Sequence, residues 1–193
     1  MPLSPRFDQA LVWASTLHRA QTRKGSSVPY LSHLLAVSAL VIEHGGDEDQ
    51  AIAALLHDAM EDQDVTEAEI AARFGPAVAA AVTGLSDAFG GPKGPWEARK
   101  RTHIAKLREA PVTLRLVSAA DKLHNGRAMV RDLRLQGPAL WRHFNASPAQ
   151  TVWYYRAMLE ALSEGWSHPI LDELREVVDA LATTVDAQNT PAK

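Results

Sequence analysis

Ala53-Ala54-Leu55-Leu56-His57-Asp58-Ala59-Met60-Glu61-Asp62 is an apolar run that ends in four ionisable side chains. Read as a helix, it puts His57 and Glu61 one turn apart, and likewise Asp58 and Asp62, so that all four project from one side. Apolar residues leading into such a cluster imply that the polar groups are at least half buried. Buried ionisable groups are costly unless they are paired or hold a metal. The fold and the chemistry of the chain therefore both turn on what meets His57 and Asp58.

The flanking segments repeat the helical pattern. Upstream, Asp47 followed by Gln50 resembles a capping box that opens the helix carrying His57. Before it, Tyr30, His33, Leu34, Val37 and Val41 share one face of a helix that starts near Ser27-Pro29 and stops at Gly45-Gly46. Phe7, Ala10, Leu11, Ala14, Leu17 and Gln21 form the stripe of a first helix, from about Arg6 to Gln21. Downstream, Thr66 with Glu69 is a second capping box, and Pro76 starts another helix to about Asp87. Gly90-Gly91-Pro92-Lys93-Gly94-Pro95 is a loop before a basic helix from Trp96 to about Glu109.

The helix from Val112 to Leu133 places Leu114, Val117, Asp121, His124, Asn125 and Ala128 within one stripe of roughly 100°. Its other sides carry Leu116, Leu123 and Val130, so other helices surround it, and Asp121 is an acid in a buried row. Helices from Pro148 to Glu164 and from Pro169 to Asp186 complete the chain. No segment shows the alternation of a strand, and the fold class is all-α, a single helical bundle. The expected division is a hydrolase-type domain over 1–165, a C-terminal helix packing on it over 166–187 and a flexible tail over 188–193.

The 193 residues suit one such domain, and a 46% apolar share is enough for a core. A net charge of −3 argues for neither nucleic-acid nor membrane binding. Without cysteine, any metal must be held by nitrogen and oxygen. No leader and no apolar run of the ~20 residues needed to span a bilayer is visible, so the expectation is a cytoplasmic protein. Leu171, Leu174, Val178 and Leu181 form a stripe on the last helix that either packs back on the domain or meets a second copy in a homo-oligomer.

His33, His57, Asp58 and Asp121 offer two imidazoles and two carboxylates, a donor set suited to manganese, iron or magnesium-like ions. A metal there would acidify a bound water, and Glu61 and Asp62, one turn on, are placed to orient it or take its proton. Each residue also has a plain structural reading. His33 can be a hydrogen-bonded core histidine, Asp121 can pair with Lys122, and His57-Asp58 can answer a helix dipole. Spacing alone does not bring three distant segments together.

A resemblance does. The order His33, His57-Asp58, Asp121 resembles the signature of HD-domain phosphohydrolases, an all-helical superfamily. Arg23-Lys24 ahead of Pro29-Tyr30-Leu31-Ser32-His33, the stretch Ala54 to Asp62, and Ala120-Asp121-Lys122-Leu123-His124-Asn125-Gly126-Arg127 are each similar to segments of the guanosine tetra/pentaphosphate (ppGpp) hydrolases. The likeness runs from about Phe7 to Leu162 and is that of a small stand-alone alarmone hydrolase of metazoan type. It implies a manganese ion held by His33, His57, Asp58 and Asp121, with Glu61 and Asp62 as the catalytic acids. It implies that Arg23 and Lys24 contact the guanine nucleotide, that Asn125 binds the nucleoside part, and that loss of the 3′-pyrophosphate leaves GDP or GTP.

For so anionic a substrate, local cations must do the binding: Arg23 and Lys24, Lys93, Arg99, Lys100 and Arg101, and Lys122 and Arg127 beside the metal motif. Arg99-Lys100-Arg101 also reads as a solvated face, and Tyr154 and Tyr155 as core packing. Leu34, Gln63, Gly126 and Ala128 depart from the family pattern. They leave two other readings open: a phosphatase for another nucleotide such as NADPH, and a nucleotide-binding sensor without activity.

Overall fold

The computed structural model describes residues 2–86 and 94–189, and among these every regular element is a helix. Lys93, with most of its loop, and residues 190–193 of the expected tail lie outside the described residues, as does Asp87. In chain order the helices are α1 (Pro5–Leu17), α2 (Leu31–Glu43), α3 (Glu48–Leu56), α4 (Ala59–Asp62), α5 (Glu67–Phe74), α6 (Pro76–Leu85), α7 (Trp96–Glu109), α8 (Val112–Gln136), the 3-10 helix Gly137–His143, α9 (Pro148–Ser163) and α10 (Pro169–Asn189). None is long and apolar enough to cross a membrane among the described residues.

The starts of these helices are set by the residues that can satisfy their free N–H groups. Asp47 with Gln50, Thr66 with Glu69 and Ser147 with Gln150 form reciprocal capping boxes, and Pro5, Pro76 and Pro148 stand in first turns where no N–H is needed. Gly137, at φ +61°, ends the 25-residue α8 with a backbone that L side chains rarely adopt.

Three boundaries differ from the sequence expectation, and each bears on the site. First, α1 stops at Leu17, not Gln21, which leaves Gln21 outside the helix. Second, Ser27-Pro29 does not begin α2. Pro29 instead makes an isolated bridge with Thr22, closed by Arg23 N–H to Val28 O (2.9 Å) and Tyr30 N–H to Gln21 O (2.9 Å). A loop of residues 22–29 is thereby pinched at its neck. Third, the helix through His57 is broken. The ring of His57 bonds the Ala54 carbonyl, in competition with the helical ladder, and Asp58 adopts φ −100°, ψ 0° before α4 resumes.

The interior divides into two clusters. One, around α1, α3, α5 and α6, holds Ala10, Ala14, Ile52, Leu55, Leu56, Ile70 and Phe74. The other gathers Leu123, Leu133, Tyr155, Met158, Leu162 and Leu174 from α8, α9 and α10. The α2–α3 hairpin is the wall between them: Leu34 faces the first cluster, and Val37, Val41 and Ala54 face the second. The stripe Leu171, Leu174, Val178 and Leu181 is buried inside the chain, so it is no surface for a second copy.

Candidate metal centre and active site

Three elements deliver the ionisable groups to one point. His33 lies in the first turn of α2, His57 and Asp58 fill the break between α3 and α4, and Asp121 sits midway along α8. Ligand atoms of His33, His57 and Asp58 lie within 4.8 Å of one another, a group able to hold a divalent ion. His33 Nε2 is 3.2 Å from Asp121 Oδ1 and 3.9 Å from Asp58 Oδ2. His57 Nε2 is 3.0 Å from Asp58 Oδ2 and 3.6 Å from Asp121 Oδ1.

The donor set fits a metal on a separate ground. Both Nε2 atoms are buried and neither makes a hydrogen bond, despite carboxylates so near. The opposite nitrogens explain why. His57 Nδ1 donates to the Ala54 carbonyl at 2.8 Å, which can only accept, so Nε2 carries a lone pair in the neutral ring. His33 Nδ1 meets His124 Nδ1 at 2.8 Å, a contact in which one ring must donate and the other accept. Two lone pairs and two carboxylates converging on one point call for a cation.

Electrostatics agree. Burial opposes charge on His57, but Asp58 and Asp121 outweigh it and lift its pKa well above the ordinary value, so the site holds positive charge strongly. Burial would raise the Asp58 carboxyl, yet the facing His57 and the hydroxyl of Tyr30, which donates to Asp58 Oδ2, hold it at about 2. Asp121 is likewise kept well below the carboxylate range against its burial, chiefly by Lys122, whose Nζ is 2.7 Å from Oδ2. Burial depresses His33, only partly countered by Asp121. His124 is pushed down to about 4 by burial and by the neighbouring His33 and Arg23.

Above this point opens a cavity of about 540 Å³. Glu61 and Asp62 line it, as do Arg23, Lys24, Lys100, Lys122 and Asn125, so the structure brings nearly all the expected residues together. Asn125 donates to Asp121 Oδ1 (2.5 Å) and accepts from Arg23 Nη2 (2.8 Å), joining the substrate loop to the metal helix. Lys100 and Lys122 approach the Tyr154 ring at 5.0 and 5.7 Å. Tyr154 and Tyr155 are core residues that also face the cavity. Arg99 lines the cavity, whereas Arg101 turns away to Glu97 and the Trp153 ring.

Arg127 is the exception among the expected substrate contacts. It pairs with Glu173 of α10 at 2.5 Å and borders a separate groove, because six residues of helix turn it roughly 120° from Asp121. Sequence reasoning also left out three residues that the structure brings in: Tyr30 on Asp58, His124 on His33, and Gln21, whose amide donates to Asp62 Oδ2 at 2.7 Å. His124 carried a signal, three residues after Asp121 on the same stripe. Gln21 and Tyr30 carried none of this kind.

A family profile described as HD domain matches residues 10–153. The guanosine-3′,5′-bis(diphosphate) 3′-pyrophosphohydrolase MESH1 of Drosophila melanogaster is 33% identical over 141 residues, 72% of this chain and 75% of that protein. MESH1 of Homo sapiens is 34% identical over 136 residues, 69% of this chain and 72% of that protein. The solved structure of a metazoan ortholog of SpoT that hydrolyses ppGpp and plays a role in starvation responses has the same fold, with a TM-score of 0.73 at 26% identity, over 92% of this chain and 96% of that one. Matched over most of its length in sequence and in fold, this chain belongs to the HD-domain family.

Proposed function

We propose that this chain hydrolyses guanosine 3′,5′-bis(diphosphate), and its pentaphosphate counterpart, releasing the 3′-pyrophosphate and leaving GDP or GTP. The observation that carries the reading is the joining of a cation-seeking floor to a cation-lined wall in one cavity. The similarity to MESH1 supports the choice of substrate.

In this reading His33, His57, Asp58 and Asp121 hold manganese, an ion suited to mixed nitrogen and oxygen donors. When bound, such an ion lowers the pKa of water and so supplies a nucleophile near neutral pH. The protein's own groups do the rest. The water's oxygen bonds to the phosphorus next to the 3′ oxygen, and the bond from that phosphorus to the 3′ oxygen breaks. One proton must leave the water and one must reach the 3′ oxygen. Glu61 and Asp62 handle these protons, as carboxylates beside the metal ligands and open to the cavity. Lys100, Lys122 and Lys24 offset the phosphate charges, and Arg23 with Asn125 receives the nucleoside part. Arg127 has no part in binding. The substrate is a small nucleotide of the cytoplasm.

The test is to incubate the protein with ppGpp and manganese and to resolve GDP and pyrophosphate. Full metal loading without turnover overturns the proposal. Phosphate release from NADPH in its place would assign the site to a different nucleotide.

A further inference from the structure

Gln63 stands directly after the acidic pair, where the related hydrolases commonly have threonine. In the structure its side chain does not enter the metal centre. Gln63 Nε2 donates to Gln21 Oε1 at 2.8 Å. The same oxygen lies 2.6 Å from Nδ1 of His18, a residue only 1% exposed. Gln21 Oε1 thus faces two nitrogens that can satisfy it only by donating. This fixes the orientation of the Gln21 amide, since a flip would set its NH2 against the NH2 of Gln63. The fixed amide points Nε2 at Asp62 Oδ2, 2.7 Å away.

Gln21 is also the residue at the neck of the loop that carries Arg23 and Lys24, through its backbone bond with Tyr30. The ring of Tyr30 stacks on His18 at 5.5 Å, and its hydroxyl holds Asp58. The end of α1, the loop neck and both ends of α4 are therefore tied by side chains.

We propose that Gln63 is a positioning residue for hydrolysis: with His18 it locks the Gln21 amide, and the locked amide holds the Asp62 carboxylate toward the reacting water. The inference rests on the catalytic role of Asp62 proposed above. A mobile carboxylate spends less time in the productive geometry, so the loss appears in kcat. Binding of the nucleotide, which uses the lysines and Arg23, is left alone.

The experiment compares Gln63→Leu, Gln63→Lys and Gln63→Glu in the full chain. Turnover of ppGpp with manganese is measured beside the side-chain amide signals of Gln21 by NMR, which read the clamp without substrate. Gln63→Leu removes the donor and should lower kcat about tenfold, with KM and metal content unchanged. Gln63→Lys restores a donor and should recover most of the rate. Gln63→Glu presents an acceptor to Gln21 Oε1, forces the amide over, turns a carbonyl oxygen toward Asp62, and should be the slowest of the three. In an Asp62→Asn background the Gln63→Leu effect should vanish. A purely structural role would give equal losses for all three variants and no such dependence on Asp62. If Gln63→Leu leaves both kcat and the Gln21 signals as in the wild type, the clamp is overturned. If the wild type does not turn over ppGpp while the Gln21 signals still respond to Gln63→Leu and to Asp62→Asn, the substrate reading fails and the clamp stands.

Discussion

Around α1, α3, α4 and α6 the core is filled largely with small residues, among them Ala10, Ala14, Ala53, Ala59 and Ala79, whereas around α8, α9 and α10 it is filled with Tyr154, Tyr155, Met158 and Leu162. Alanine lets helix backbones approach closely and leaves little freedom to shift, since there are no long side chains to repack. His57 and Asp58 are mounted on that tight half. Rings and long side chains make the opposite wall, where Tyr154 lies under Lys100 and Lys122. The difference assigns a task to each half: the first fixes donor atoms, and the second shapes a surface for a charged nucleotide. Asp121 is the one proposed ligand that crosses over, standing on the aromatic half and facing the tight one.

That division can be broken most sharply at Asp121. Asp121→Ala should remove both metal and activity, seen as metal content by elemental analysis and turnover at background. Metal content equal to the wild type would show that the ion needs no donor from α8. Next in size, Glu61→Gln should keep the metal and lower kcat by roughly 10²-fold or more, as expected for loss of a proton-handling group. A core pair then sharpens the contrast between the halves. Leu56→Ala and Leu162→Ala each empty a fully buried site and should each cost about 2–5 kcal/mol of stability by denaturant unfolding. Leu56→Ala, beside His57, should also weaken metal binding, whereas Leu162→Ala should not. Lys100→Ala, on the nucleotide wall, should raise KM severalfold with kcat nearly unchanged, the mark of lost ground-state binding.

The smallest effect expected is on acid sensitivity. His124 titrates at about 4 in the fold against 6.5 for a free imidazole, so as pH falls the unfolded chain takes up its proton first. Stability from this group is complete above 6.5 and is lost as pH falls toward 4. His124→Gln should therefore flatten the stability curve of the metal-free protein in that window. Unfolding midpoints that fall in parallel for both proteins would contradict it.

Much of the ligand set was legible in the sequence because the family motif is local. His57-Asp58 is contiguous, Asp121 lies in a buried row, and His33 sits on an apolar face. What spacing could not supply was the direction of side chains between segments. Arg127 looked close to Asp121 along the chain but is turned away around the helix. Gln21 looked like the end of a helical stripe, yet the helix ends at Leu17, and its release is what lets the amide reach Asp62. The break at Asp58 was hidden for a similar reason, since a side-chain bond to the Ala54 carbonyl competes with the ladder and leaves no mark in residue periodicity. The fold class needed none of this detail, because capping boxes and helical stripes are local signals.

The pinched neck of the loop over residues 22–29 has one more consequence. Because Thr22 and Pro29 bridge at its base, the loop behaves as a cassette seated on a closed frame. Lengthening such a cassette costs little, about 0.6 kcal/mol for each doubling, and leaves Gln21 and Tyr30 in register below it. Gly25 marks where exchange is constrained: at φ +71° a Cβ there would come within 2.7 Å of the His143 ring. Grafting new loops between Thr22 and Pro29 with that glycine retained would alter which nucleotide is admitted, over an unchanged metal floor.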